Sequence, residues 1–417
     1  MRDLFLGLDI GTSGARAIVI DAAGAVRAEG KSAMADHGAN HRSPAIWWAA
    51  ASAAVKRALA GVDAGAVRAL AVDGTSGTVL AVDGTGAPPG DALMYNDICP
   101  DPAIIARIDA VAPPDSAARG ASSALARVRW FSDRNPADIR HQADWVSTRF
   151  SGRAVSDENN ALKTGYDLAA RAWPDWIEQV GVDRARLPDV VAPGTAIGPV
   201  THSAAREFGF ADDALVVAGT TDGCASFVAT GADRPGDGVT VLGTTLTIKL
   251  LSDKQISAPE YGIYSHRILG HWLAGGASNT GGNVLLKFFQ AKDLSDLSAR
   301  IDPETDCDLD YYPLARPGER FPVADPTLPA RLEPRPDDDA AFLKGLFDGI
   351  ARIEALAYDR LHQLGAPPLA SVRSVGGGAG NPVWTRMRER RLNVPMPGPA
   401  STEAAYGTAL LARRGAP

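Results

Sequence analysis

The sequence predicts an α/β protein built of two similar halves facing one another across a cleft. Three observations carry this expectation. A strand–turn–strand hairpin with a Gly-Thr-Ser tip stands at residues 9–21, and a second with a Gly-Thr-Thr tip stands at 239–250. Apolar runs of strand length lead into aspartate at Asp9, Asp73 and Asp222. The stretches between them include apolar residues at helical spacing, as over 44–59 and 340–364.

Taken in order, residues 4–9 are apolar and end on Asp9, Gly11–Gly14 form a turn, and 15–21 are rich in β-branched residues. Asp21-Ala-Ala-Gly24 turns the chain into a third strand over 25–30. Two strands joined by a tight polar turn are a hairpin, which excludes the Walker and Rossmann loops, where a helix follows the glycines. A helix is expected over 44–59, a buried strand over 67–73 and a short strand over 78–83. Residues 102–150 read as mainly helical and 172–200 as loop-rich. The second cycle has a strand at 214–219, a small-residue helix at 224–231 and the second hairpin at 238–250. Gly275–Gly282 precede a helix at 283–290, and the Pro- and Asp-rich stretch 315–339 reads as a surface excursion. A long helix at 340–364, a strand at 371–375, a glycine-dense turn at 376–382 opening a helix, and a final helix over 402–413 complete the chain.

At 417 residues the chain accommodates two or three domains. A net charge of −7 argues against nucleic acid or an anionic membrane as the main partner. Three distant cysteines without a CxxC read as reduced thiols, and seven histidines show no metal-ligand spacing. No signal peptide and no membrane span is expected, and the expected compartment is the cytoplasm.

The chemistry is expected in four places. In Asp9-Ile-Gly11-Thr12-Ser13-Gly-Ala-Arg16 the glycines allow backbone N–H groups to approach phosphate oxygens. Thr12 and Ser13 add hydroxyls there, and Arg16 a cation. Asp9 is placed to hold Mg²⁺ through water, since that ion keeps several waters and prefers oxygen; a turn with a capping aspartate is the plainer alternative. Gly243-Thr244 repeat the device in the other half. The turn Gly376–Asn381 offers bare backbone, including Gly377, for an adenosine, with Asn381 at a base edge; a flexible turn is the alternative. Asp222, after Thr220-Thr221, is ionised at neutral pH and can take a proton from a hydroxyl nucleophile; an Asx turn is its alternative.

Together these segments resemble, in order and over essentially the whole chain, the FGGY carbohydrate kinases. That resemblance implies two ribonuclease-H-like domains of the actin-like ATPase fold and an ATP- and Mg²⁺-dependent phosphotransferase. It implies Asp222 as the base and Asp9 near the metal. It implies Gly11, Thr12, Ser13, Arg16, Gly243 and Thr244 at phosphates, and Gly281, Gly377 and Asn381 at the nucleotide. The closing segment Thr402-Glu-Ala-Ala-Tyr-Gly407 matches the family's second connecting segment. Met94-Tyr-Asn96-Asp97 fits the sugar-contact segment, and Asp73, Ser76, Asn96, Asp97 and Asp222 are the expected sugar contacts. The Asp73-Gly-Thr-Ser76 loop lacks the Met-His pair of the family's xylulose kinases; with the chain's compactness it resembles the D-ribulose kinases. D-ribulose is therefore the expected acceptor and D-xylulose the alternative. A non-kinase actin-like ATPase would not need residues 73–77 and 94–97, and a catalytically dead sugar binder would not need both Asp9 and Asp222. The implied domains are 1–229 plus 402–417, holding the sugar, and 230–401, holding the nucleotide, in a monomer or homodimer.

Overall fold

A computed structural model describes residues 3–417. The chain forms two sheet-containing units. One holds the residues up to Ala229 with His266–Leu269 and Glu403–Pro417; the other holds Thr230–Ser265 and Gly270–Thr402.

In the first unit six strands share a sheet, in the order Val26–Ala33, Gly14–Asp21, Leu4–Ile10, Val67–Gly74, Leu215–Val217, Ala196–Pro199. The first three are antiparallel, joined by tight turns. Leu4–Ile10 then runs parallel to Val67–Gly74, which needs a crossover; the helix Pro44–Leu59 lies in that connection, with proline in its first turn. Side chains alternate along a strand, so Leu4, Leu6, Leu8 and Ile10 face that helix and pack on Trp47, Ala51 and Val55. Phe5, Ala69, Ala71 and Val217 face the other way, onto Ala405, Ala409 and Ala412 of the closing helix Ala404–Gly415. Gly7 is on this second face, and a Cβ there would lie 2.0 Å from the Ala405 carbonyl oxygen. The helix therefore lies directly on strand backbone. Asp9 and Asp73 continue the same alternation and also face this side.

In the second unit the strands His271–Ala277, Leu246–Ser252, Asp237–Leu242 and Ser371–Val375 follow one another. Two antiparallel pairings are followed by one parallel pairing, as in the first sheet, so the duplication expected from the two hairpins extends to strand order. The helix Asp339–Gln363 starts where Asp338 accepts hydrogen bonds from the Ala340 and Ala341 amides. It buries Phe342, Leu346, Ile350, Ile353, Ala357 and Leu361 at helical spacing.

Four expectations are corrected. Residues 102–150 are less helical than expected: the strand Asp138–His141 pairs antiparallel with Val79–Val82, although only Ile139 of its four residues is a strand former, so the pairing partner rather than local preference sets it. The helix after Gly282 stops at Leu285. The stretch 315–339 is not wholly superficial, for Phe321 and Glu319 are buried and Glu319 accepts from Ser278 Oγ and the Asn279 amide. The small-residue helix begins at Asp222 and ends at Ala229, which places the expected base at a helix N-terminus. No helix among the described residues is long and apolar enough to cross a membrane.

His141 gives a stability prediction. It is buried in the short sheet, and burial pushes its imidazole down to about 3, against 6.5 in a free side chain. Between those values the unfolded chain binds the proton and the folded one does not. The stability this contributes is therefore complete above pH 6.5 and is lost as pH falls toward 3. Between pH 7 and pH 5 the native protein should lose about 2 kcal/mol relative to His141→Gln. Urea denaturation of both proteins at the two pH values measures the difference, and parallel losses would remove His141 as the cause.

Candidate active site

Three strand ends converge in the first unit. Asp9 is the penultimate residue of the first strand and is directly opposite Asp73 on the neighbouring parallel strand. Gly74 forms a parallel bridge with Thr221, which brings the start of Asp222–Ala229 to the same place. Burial pushes Asp9 up to about 6, the charges of Asp222 and Glu403 push the same way, and a hydrogen bond from Asp73 and the charge of Arg16 oppose them. Asp73 is fully buried, and burial followed by the Asp9 charge holds its carboxyl well above the usual range. Thr408 of the closing helix donates to Asp73 Oδ2, while Asp73 Oδ1 meets no donor. A bond between the two carboxyls therefore requires one of them to keep its proton. Asp222 is half-buried, and its Oδ1 accepts from the Gly223 amide at 2.7 Å.

These positions revise the expected roles. Asp73, expected at the sugar, is sealed between Asp9 and Thr408 with no exposed surface, and its contacts are with protein. Arg16, expected at phosphate, lies 3.7 Å from Asp9 and 3.4 Å from Glu403, with its side chain 47% exposed. Thr12 and Ser13 form the exposed tip of the hairpin, beside Gly11. Glu403 and Thr408 lie at the start of and within the last helix; the small residues of that segment hinted at close packing but not at which polar groups it would deliver.

The expected sugar segments form two adjoining loops. Leu93 and Val79 exchange backbone hydrogen bonds, and the Tyr95 amide donates to Thr78 Oγ1 at 3.0 Å. Ser76 Oγ is buried and finds no partner among the described residues, whereas Asn96 is exposed. Asp97 departs from its expected role. Its carboxylate takes a two-pronged ion pair from Arg42, at 2.6 and 3.1 Å, and a hydrogen bond from the Met94 amide. The Arg42 hydrogen bond holds it below the ordinary carboxylate range, and the group staples its own loop.

In the second unit Gly243, Thr244, Gly377 and Asn381 line one cavity of about 870 Å³. Its apolar wall includes Leu285, Leu294, Val383, Trp384 and Leu286, the last of these 57% exposed. A flat aromatic base fits such a wall, and the volume is in the range of small-molecule sites. A Cβ at Gly377 would meet nothing within 4 Å and one at Gly243 nothing closer than 3.6 Å, so these glycines leave open space inside the cavity. Gly281 has a different job. Its φ is +141°, and a Cβ would press within 2.7 Å of Thr244 and Thr245 backbone, so it packs behind the loop that Gly282 and Gly243 zip together. Asn381 is also occupied: Oδ1 caps the helix Pro382–Leu392 by accepting from the Trp384 amide, and Nδ2 donates to Ser298 at 2.7 Å. It shapes the cavity wall rather than offering an unused amide to a base.

The N-terminal domain of the FGGY family of carbohydrate kinases matches residues 4–229, and the C-terminal domain of that family matches 238–416. A xylulose kinase of Streptomyces coelicolor is 27% identical over 420 residues, covering 96% of this chain and 85% of its own. An autoinducer-2 kinase of Yersinia enterocolitica is 28% identical over 326 residues, covering 70% of this chain and 61% of its own. Among solved structures, the xylulose kinase from Bifidobacterium adolescentis superposes with a TM-score of 0.81 at 22% identity, over 99% of this chain and 93% of that one. That superposition shows the fold.

Proposed function

Because the chain belongs to the FGGY family of carbohydrate kinases, ATP-using phosphotransferases with an alcohol acceptor, we propose that it phosphorylates a ketopentose, in the first place D-ribulose to D-ribulose 5-phosphate. The observation that supports this most is the convergence of Asp9, Asp73 and Asp222 at adjoining strand ends. The Asp73–Ser76 loop favours ribulose; the names of the relatives favour D-xylulose, which is the second reading. The reaction is assigned to the cytoplasm, consistent with three free cysteines among the described residues.

In this reading the Asp222 carboxylate accepts the proton of the attacking sugar hydroxyl while its oxygen bonds to the γ-phosphorus and the bond to the ADP oxygen breaks. The Gly223 amide anchors one carboxylate oxygen, which limits rotation of the base. Asp73, itself held by Thr408, lies directly opposite Asp9 on the neighbouring strand. Among the described residues no three acidic, histidine or cysteine side chains come together to hold a metal, so Asp9, with the Arg16 guanidinium 3.7 Å away, would offer a divalent cation a single carboxylate. One carboxylate suits Mg²⁺, which keeps waters and takes phosphate oxygens. When bound, the ion would neutralise charge on the phosphates.

Two experiments bear on this. ADP release measured over D-ribulose, D-xylulose, pentitols and glycerol should give the highest kcat/KM with D-ribulose. A higher value for D-xylulose moves the assignment to the second reading, and sugar-independent ATP hydrolysis alone would end the kinase proposal. Separately, Gly243→Val should raise the KM for ATP roughly tenfold by filling the cavity, with an unshifted melting temperature. An unchanged KM would detach this cavity from the nucleotide.

A further inference from the structure

Arg127 is a buried cation that none of the motifs above includes. It sits in the helix Ala124–Ser132 and is 1% exposed. Its partners are carbonyl oxygens: Nη2 donates to Gly77 at 2.8 Å, and Nη1 to Asp97 at 2.7 Å and to Tyr95 at 3.4 Å. Desolvation pulls the guanidinium down to about 10, so it stays charged at neutral pH. The carbonyls it holds belong to Gly77, the residue after Ser76, and to the residues on either side of Asn96. The bases of these loops are already joined by the Val79–Leu93 bridge and by Thr78 Oγ1. What remains for Arg127 is the relative placement of the two tips.

We infer that Arg127 is a positioning residue that sets acceptor-sugar specificity, fixing the separation of Ser76 Oγ and the Asn96 amide from beneath. The inference rests on the reading that Ser76 and Asn96 meet the sugar. A guanidinium has donors spread over a rigid fork and can hold both loops at once. An ammonium at the end of a lysine reaches one of them, so Arg127→Lys keeps the charge and gives up the spacing. A displacement of the order of 1 Å in positioning groups costs up to about a hundredfold in rate. The loss should fall mainly on the best substrate, because poorer sugars already fail to satisfy both tips.

The test measures kcat/KM for the preferred pentulose and for a four- and a six-carbon ketose, with the KM for ATP and the melting temperature. It is made on the full chain and on Arg127→Lys, Arg127→Met, Ser76→Ala and Asn96→Ala. Expected for Arg127→Lys is a fall of about tenfold or more in the preference for the best sugar, carried by its KM, with the KM for ATP unchanged. Arg127→Met should show the same loss more strongly, and if it does not fold, Arg127→Lys decides alone. A drop spread evenly over all sugars, alongside a lowered melting temperature, would reduce Arg127 to a structural role and overturn the inference. Should Asn96→Ala and Ser76→Ala raise the sugar KM while Arg127→Lys leaves the preference intact, the inference fails and the acceptor reading survives. Should both alanine variants bind sugar normally, the acceptor reading fails and takes this inference with it.

Discussion

Asp222→Ala is expected to lower kcat for sugar phosphorylation by roughly 10²–10⁴-fold or more, with little change in nucleotide affinity. The hydroxyl would then lose its proton acceptor at the moment the bond to phosphorus forms. Nucleotide affinity should hold because the cavity assigned to ATP is lined by residues of the other unit, among them Gly243 and Gly377. Asp222 is also the first residue of its helix, and an acidic group there adds about 0.3–1 kcal/mol through the helix dipole. Asp222→Asn is therefore the better-matched variant: it keeps the shape and removes the base. Stopped-flow or coupled assays give kcat, and calorimetry gives the ATP affinity. Turnover within a few-fold of the native rate in either variant would show that another group takes the proton.

The second large effect is on stability. Arg388 and Glu354 form an ion pair with no exposed side-chain surface, bonded twice at 2.6 Å. Arg388 also donates to Ser374 Oγ at 2.8 Å. Glu354 accepts from Thr240 at 2.6 Å, and Thr240 meets the Tyr358 hydroxyl at 2.9 Å. Two helices and two adjoining strands thus share one polar knot beneath the strands that lead to Gly243 and Gly376. Arg388→Met leaves a buried carboxylate without its counter-ion, and should destabilise the second unit by about 3–5 kcal/mol. The double substitution Glu354→Leu with Arg388→Met removes both charges. It should regain much of that loss, though not all, since Ser374 and Thr240 would lose partners. Urea unfolding of the two variants measures this. A single-variant cost below about 1 kcal/mol would mean that water reaches the site and replaces the arginine.

Both results depend on features of unequal visibility in the sequence. The two hairpins were legible because their signals are local: apolar residues at period two and glycines at the tips. The aspartates at strand ends and the glycine loops were legible for the same reason. The capping role of Asn381 was also within reach, since asparagine before a proline that opens a helix is a common N-cap. Asp97 was not, because its partner Arg42 is 55 residues away and nothing in either segment announces the other. Arg127 carries no local signal of its burial in the sequence, and only the packing of two loops over it removes its solvent.

The amino-acid order alone determined the α/β class, the duplicated hairpins, and the positions of Asp9, Asp222 and the glycine-tipped loops, all of which follow from spacing within a few residues. Only the tertiary structure decided that Asp73 lies beside Asp9 under Thr408, that Asp97 is an internal staple, and that Arg16 leans on Glu403. The reason is physical: strand register and desolvation arise from elements distant in the chain, and they set what a carboxylate or a guanidinium can touch.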